Sequence, residues 1–543
     1  MDKKIQRLIA EKIIRANPQT KAEVDAFKRQ IAKEYKIPYP GNVDLIATLR
    51  TARRNKTPAS SQESCSCKLI ELLRVRPIRS LSGIVNVSVL TKPYPCPGNC
   101  LYCPAEAGFP KSYLSGEPAA ERAHRLKFDP YRQVFRRLEM LANEGHSVDK
   151  IELRIIGGTW SFYPKPYQEK FIASCFNAAN NFGKSKSKTL SLGAEQKKNE
   201  SAKCRIVGIS VETRPDYINE AEIIRLRRLG VTRVELGVQS IYDDVLEKNR
   251  RGHKIDATIQ ATKLLKNAGF KISYQIMLNL YGSSPKKDLV MAKVLFANPD
   301  FCPDLLKIYP CMVLKEAPLY DIYKEGGFKP YSHKKLVETI KEIKKIVPPW
   351  VRIERVIRDI PSPRISGAKD ISNLRQIIAN DMKTEGWSCQ CIRCREIKGD
   401  YNVNEKIELV RRDYDASGGK EIFLSFENQP ASAQGYGGQA KIFSLLRLRI
   451  PGKGTKPIFP ALKDAALIRE IHTYGLQTPV AQKSVSAQHT GLGKKMIAEA
   501  EKIAKDEFNL KKIAAISGIG ARAYWRKLGY KQQNSYLIKK ATQ

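Results

Sequence analysis

The chain is short of negative charge. Across 543 residues, 55 Asp and Glu face 95 Lys and Arg, for a formal net charge of +40. That balance disfavours a strongly basic partner and favours a polyanion such as nucleic acid. There is no apolar run near the roughly 20 residues that a membrane span needs. The start, MDKKIQRLIAEKIIRANPQ, is a short amphipathic pattern broken by charges. It lacks the continuous apolar core of a secretory leader, so a cytoplasmic protein without a membrane partner is expected. No internal repeat is visible. Disorder over the whole chain is excluded by its 42% hydrophobic residues. The length suits about three to four domains of roughly 150 residues. Twelve cysteines in a large cytosolic chain argue against a disulfide framework.

Four regions follow from patterning. Residues 1–80 are basic, with Ile5, Leu8, Ile9, Ile13 and Val24, Phe27, Ile31 at helical spacing, and read as a helical region that either binds nucleic acid or presents an ordinary solvated face. RTARRNKTPASSQES reads as a flexible basic loop. In 81–385, short apolar runs (GIVNVSVLT, KIELRIIGGTW, CRIVGISVET, VTRVELGVQS, KISYQIML, LLKIYP) alternate with charged helices. This alternation predicts an α/β fold, a parallel sheet or barrel. EPAAERAHRLKFDPYRQVFRRLEMLAN reads as one of the helices. Residues 183–203 have low hydrophobicity and no period, and read as a mobile surface insertion. Residues 386–404 are Cys-rich. Residues 405–543 carry a second α/β unit.

Six cysteines fall in two tight triplets, Cys96, Cys100, Cys103 and Cys389, Cys391, Cys394, with Cys65 and Cys67 as a further pair. Such spacing points to metal ligation. KPYPCPGNCLYCP places its three thiols directly after a strand, and soft sulfur ligands suit iron–sulfur or zinc. The Cys96-x3-Cys100-x2-Cys103 pattern resembles the radical S-adenosylmethionine superfamily. That resemblance implies a [4Fe–4S] cluster whose open iron chelates S-adenosylmethionine, with Tyr102 packing near the adenine. Gly157, Gly158 and Thr159 follow the second strand, where glycine lets backbone approach a ligand. In such enzymes the corresponding glycines bind the methionine amine. Glu212, Arg214 and Gln239 sit at strand ends, where barrel sites form. They read either as site residues or as satisfied polar groups. The second triplet reads as structural zinc, which needs a fourth ligand, with His253 and Cys311 as candidates.

In the last region, Gln488-His-Thr-Gly491-Leu-Gly493 opens a helix. Free N–H groups at a helix start bind phosphate. The motif resembles the pyrophosphate loop of GNAT acetyltransferases, which grips coenzyme A. The combination, with SVETRPDY, ELGVQSIYDDV, LVRRDY and ISGIGARAYWRKLGY, resembles the family of the Elongator catalytic subunit. The implied fold is a radical-SAM partial (β/α) barrel plus a GNAT α/β domain behind the basic helical region. The implied activity is acetyl-CoA-dependent carboxymethylation of tRNA uridine(34) at base carbon 5. In it, a 5′-deoxyadenosyl radical takes a methyl hydrogen from the donor, the carbon radical adds to the base, and thioester hydrolysis follows. Cys96, Cys100 and Cys103 align with the cluster ligands. Acetyl-CoA falls to Lys150, Glu470, Ile471, His472, Thr473, Gln488, Gly491, Leu492, Gly493 and Lys494. The family's tyrosine pair becomes Tyr524 and Trp525; Trp stacks but has no acidic hydroxyl, so Lys150 and Tyr524 are the expected catalytic groups. The partner is the tRNA anticodon arm, and a homodimer or accessory subunits are open. The competing reading is a protein lysine acetyltransferase with a scaffold radical domain, against which a +40 chain would repel basic tails.

Overall fold

The computed structural model describes residues 3–54, 68–185, 187–366, 373–398, 405–428, 439–475 and 491–540. Most of the basic loop, and Cys65, Cys67 and Gln488 with it, lie outside the described residues. The apolar runs become strands of an open, curled half-barrel. β1 (Val85–Leu90), β2 (Lys150–Ile156), β3 (Arg205–Thr213), β4 (Arg233–Gln239), β5 (Lys271–Leu278), β6 (Leu305–Pro310) and β8 (Arg352–Arg355) lie side by side, all parallel. β7 (Val313–Leu314) and β9 (Ile365–Ser366) form a small ribbon. The sequence reading missed β8, because its four residues, RIER, contain one apolar side chain.

The basic N-terminal region is helical. α1 (Lys3–Ala16), α2 (Lys21–Glu34) and α3 (Asn42–Arg54) share a small core with Leu69, Ile70 and Leu73. Two sequence expectations need correction. The helix read over 117–143 is two, Pro118–Arg125 and α4 (Pro130–Asn143). Lys127 and Phe128 turn the chain at φ 52° and 54°, and Asp129 caps the new helix ahead of Pro130. The segment read as a loose insertion over 183–203 contains a packed helix. α5 (Lys165–Asn180) packs against α6 (Leu192–Asn199) through buried polar groups. Glu195 accepts from Asn177 (2.8 Å) and Asn180 (2.7 Å), and Asn199 accepts from the Ile206 amide at 2.8 Å. Hydropathy hides this helix because its buried side is amide and carboxylate, held by hydrogen bonds.

The second sheet is mixed: β10 (Ile407–Ala416), β11 (Gly419–Asn428), β12 (Ile442–Ile450), β13 (Ala465–Thr473), β14 (Lys512–Ile516), β16 (Tyr536–Lys540) and β15 (Lys531–Gln533), in that order. All neighbours are antiparallel except β13 and β14. α7 (Leu492–Asp506) crosses between that parallel pair, and α8 (Arg522–Lys527) follows β14. This is the α/β acetyltransferase arrangement that the resemblance implied.

The second unit docks on the N-terminal ends of the barrel strands. Arg469 bridges Asp304 (2.5 Å) and Glu421 (2.7 Å). Arg447 reaches Glu470 at 2.9 Å, and Arg449 reaches Glu421 at 2.9 Å. Lys266 lies 3.8 Å from Asp304. All of these except Glu470 are almost wholly out of solvent. Gly518 and Gly520 let the turn before α8 lie directly on β3, where a Cβ would strike Val207 and Arg205. Glu200, at the end of α6, holds Arg522 and Arg526 at 3.2 and 2.7 Å.

Candidate active site

Two cavities lie at opposite ends of the half-barrel. The first, about 160 Å³, opens at the C-terminal ends of the strands. Tyr102, Cys103, Arg154, Glu212, Gln239 and Lys307 line it. The cysteine loop follows β1. Arg251 donates to Cys100 Sγ at 3.5 Å, and Thr159 lies 3.8 Å from Cys96 Sγ. Arg214 forks onto Asp216 at 2.9 and 2.8 Å, which leaves its Nη1 buried and unpartnered among the described residues. That nitrogen points at Gly98, where any Cβ would collide with it. Tyr102 Oη is likewise buried without a partner. Burial and the adjacent Cys100 push the Cys103 thiol up to about 12.

These observations test the fit of a cluster and S-adenosylmethionine, which the family implies. A cubane seats each cysteine on a different iron, so its thiols stand farther apart than those around one ion. Among the described residues, the group of three thiols with sulfurs all within 4.8 Å is Cys389, Cys391 and Cys394, not the first triplet. Two orphaned donors, Arg214 Nη1 and Tyr102 Oη, face the open loop. The residues fit the group. Gly157 and Gly158 end β2 at φ +129° and +82°. The Gly157 carbonyl accepts from Thr91 and Tyr163, both at 3.1 Å, so the pair is pinned beside the loop.

The second cavity, about 600 Å³, lies between the strands' N-terminal ends and the mixed sheet. β13 pairs with β14 only from Ala465 to Ile468. Beyond that the two strands part, after a bulge opposite Arg447 and Leu448. The gap brings together Ile471, His472, Thr473, Gly491, Leu492, Gly493, Lys494, Tyr524, Trp525 and, from β2, Lys150. The first turn of α7 presents its amides there, with Gly491 at φ +89°. Burial lowers the pKa of both Lys150 and His472 and raises that of Tyr524. His472 Nε2 lies 2.7 Å from the Ser82 carbonyl, a bond that ties the two units together.

Two sequence readings land elsewhere. Glu470 is turned away from this cavity and bonded to Lys271 (3.0 Å) and Arg447 (2.9 Å). Trp525 lines this cavity and is also buried in the core of the second unit, packing on Tyr530 at 5.0 Å, whereas Tyr524 is 39% exposed. Tyr524 Oη sits 3.3 Å from where a Cβ on Gly493 would be. Trp525→Ala is therefore expected to cost about 3–5 kcal/mol of that unit's stability, read by thermal unfolding. A cost below about 1 kcal/mol would remove Trp525 from the core. His253 and Cys311 do not join the second triplet. His253 lies at the radical site among Arg214, Asp216 and Arg251, and Cys311 is buried behind β7. Lys344 Nζ approaches Cys394 Sγ at 3.8 Å, where the sequence reading sought a fourth ligand. The sequence missed Arg251, Lys271 and Arg154, because single cations carry no motif.

A parallel half-barrel with three thiols at its C-terminal mouth is a radical S-adenosylmethionine fold, here joined to an acetyltransferase fold. The Radical SAM superfamily matches residues 94–289, and the Radical_SAM C-terminal domain matches 303–384. The chain is 41% identical to the "tRNA uridine(34) acetyltransferase" of Methanocaldococcus infernus, over 99% of this chain and all of that one. It is 36% identical to the Homo sapiens "Elongator complex protein 3", over 98% of this chain and 96% of that one. The solved structure of "the archaeal Methanocaldococcus infernus Elp3 with N-terminus deletion (1-46)" superposes with a TM-score of 0.71, covering 85% of this chain and 100% of that one. The chain belongs to the family of tRNA uridine(34) acetyltransferases and Elongator complex protein 3. Among the described residues, no helix is long and apolar enough to cross a membrane.

Proposed function

We propose that this chain uses acetyl-CoA to build 5-carboxymethyluridine at position 34 of tRNA. The observation that carries this is one half-barrel with the cysteine loop and a cavity lined by Cys103 at one end and a cavity of acetyltransferase type at the other. Cys96, Cys100 and Cys103 would hold the cluster, and Arg251 and Arg214, placed at the same loop, would offset its negative charge. Bound there, the cluster and S-adenosylmethionine supply a 5′-deoxyadenosyl radical, which suits an unactivated methyl group. In the second cavity, the α7 amides and Lys494 take the donor's phosphates. Lys150, its amine brought closer to neutrality by burial, draws a proton from water at the thioester. The Tyr524 hydroxyl bonds the thioester oxygen. Tyr524→Phe should weaken donor binding by about tenfold at most, the worth of one hydrogen bond, with unfolding unchanged; equilibrium binding of acetyl-CoA reads it. Cys389, Cys391 and Cys394 would hold a structural zinc, with Lys344 Nζ 3.8 Å from Cys394 Sγ beside them.

The lysine acetyltransferase reading is disfavoured by the wall facing the donor cavity. That wall is barrel, with Lys150, Glu152, Arg205 and Lys271, and offers an incoming lysine a cationic surface. The decisive assay is mass spectrometry of tRNA nucleosides after anaerobic incubation with reductant, S-adenosylmethionine and acetyl-CoA. Absence of 5-carboxymethyluridine from a cluster-loaded sample would overturn the proposal.

Exposed Arg15, Lys21, Arg29, Lys33 and Lys36 on and beside α1 and α2 suit tRNA phosphates. Deleting residues 1–60 should flatten the salt dependence of tRNA affinity by about one logarithmic unit of slope for each phosphate no longer neutralised. An unchanged slope would assign tRNA binding elsewhere.

A further inference from the structure

The inside of the half-barrel is charged, which is costly. A closed barrel of this type fills its lumen with layers of Val, Ile and Leu. Here Ile151, Leu153 and Ile155 of β2 face the helices, while Lys150, Glu152, Arg154 and Ile156 are half-buried on the other side. Arg233 lies 3.1 Å from Glu152, 3.1 Å from Glu235 and 3.0 Å from Glu354. Arg154 lies 3.1 Å from Glu235, which also meets Lys307. Lys307 continues to Glu212 at 3.5 Å. Desolvating so many ions gains little stability over apolar packing, so a role other than stability is called for.

The ladder has two ends. Glu152 lines the donor cavity, and Arg154, Lys307 and Glu212 line the radical cavity. Residues two apart on a strand are about 7 Å apart, so the cavities are separated by one or two layers of side chains. Those layers are not fully bonded: Arg154 Nε, Arg233 Nε and Gln239 Oε1 are buried without a hydrogen-bond partner among the described residues. Small residues, Ser210 and Ser273, stand beside the ladder, with Ser210 Oγ 3.2 Å from Arg233 Nη2 and Ser273 Oγ 3.3 Å from Glu354.

We propose that this lumen is the passage by which a small carboxylate, the two-carbon fragment of the donor, moves from the donor cavity to the radical cavity, with Arg233 and then Arg154 as successive positioning residues. The inference rests on the function proposed above and deepens it. Coenzyme A cannot pass two layers of side chains, but acetate can displace a glutamate from a guanidinium and hand it back. Thioester hydrolysis then comes first: water oxygen bonds the carbonyl carbon, the C–S bond breaks, and acetate, coenzyme A thiol and a proton result. That order reverses the one implied by the family resemblance.

Two experiments test it. In Ser210→Cys, without cluster or donor, the anionic reagent 2-sulfonatoethyl methanethiosulfonate should label the introduced thiol in the native protein, read by peptide mass spectrometry. A thiol at that position that reacts only in urea overturns the passage, whatever the enzyme's activity. In Ser210→Leu, coenzyme A thiol release should stay within about twofold of the parent, while 5-carboxymethyluridine falls about a hundredfold, roughly 2.7 kcal/mol by the tenfold-per-1.36 rule, and substrate-dependent 5′-deoxyadenosine formation falls with it. Product that is unchanged, or that falls only as far as coenzyme A thiol release, overturns the proposal. Ser273→Leu, on the neighbouring strand, serves if Ser210→Leu does not fold. A parent chain that makes no product defeats the functional reading and leaves the labelling result standing.

Discussion

Cys100→Ala is expected to take carboxymethyluridine formation to background, a loss of at least about a thousandfold, or about 4 kcal/mol of barrier. Affinity for tRNA should remain within about twofold, because Cys100 is buried beneath its loop and offers nothing to a phosphate. The reasoning is geometric. Arg251 Nη1 is held 3.5 Å from this one sulfur, and the guanidinium also donates to the Gly237 carbonyl at 2.5 Å, so the cation is fixed whether or not a cluster is present. Without Cys100 the cluster loses one of three thiolates and Arg251 loses the charge it faces. Cys175→Ala is the control, since Cys175 is equally buried but packs in the barrel core. Anaerobic reconstitution followed by iron and sulfide analysis and the nucleoside assay reads both variants. Full activity in Cys100→Ala would mean that the triplet holds no catalytic metal.

Asp304→Asn is expected to destabilise the joined units by about 3–5 kcal/mol, the typical cost of breaking a buried ion pair by removing one partner. Asp304 is fully buried and receives Arg469 at 2.5 Å, with Arg447 at 3.6 Å and Lys266 at 3.8 Å. Three cations would be left around one neutral amide. Unfolding should become biphasic, with the second unit released first, read by calorimetry and limited proteolysis between the two sheets. A change below about 1 kcal/mol would show that the cations find other partners. The pH dependence has a defined sign. Burial opposes ionisation of Asp304 and Glu421, but the surrounding Arg469 and Lys266 overcome it and hold both carboxyls below their usual range. Glu470 is lowered to about 2: burial resists, and Lys271 and Arg447 prevail. A depressed carboxyl contributes stability that is complete above its unfolded value of about 4.5 and is lost as pH falls toward its folded value. The parent should therefore lose inter-unit stability between about pH 4.5 and pH 2, and Asp304→Asn should show a weaker dependence there.

Much of the fold was legible because its signals are local. The six apolar runs that became β1 to β6 each carry β-branched residues next to turn residues, and a parallel sheet buried on its helix side needs nothing more. Where the signal is not apolar, sequence reading failed. α6 buries Glu195 and Asn199, so hydropathy took it for a loop. β8 has one apolar residue in four. The break at Lys127 and Phe128 lies in two left-handed residues that no composition marks, although Asp129-Pro130 directly after them carries the cap.

The sequence alone determined which groups are candidates for chemistry: three thiols at x3 and x2 spacing, a Gly-x-Gly helix entry and an excess of cations. Motif chemistry depends on neighbours along the chain, so it is written there. Tertiary structure decided where those groups meet. It turned Glu470 into an inter-unit ion pair and set Trp525 in the core at the cavity wall, beside the more exposed Tyr524. It also separated His253 from the second triplet, and set Glu152 and Arg154, two residues apart, at the two ends of one charged lumen. These outcomes depend on strand register and on contacts between residues hundreds of positions apart, such as Asp304 with Arg469. A parallel sheet gathers charges from successive strands into one layer, and no stretch of sequence contains that layer.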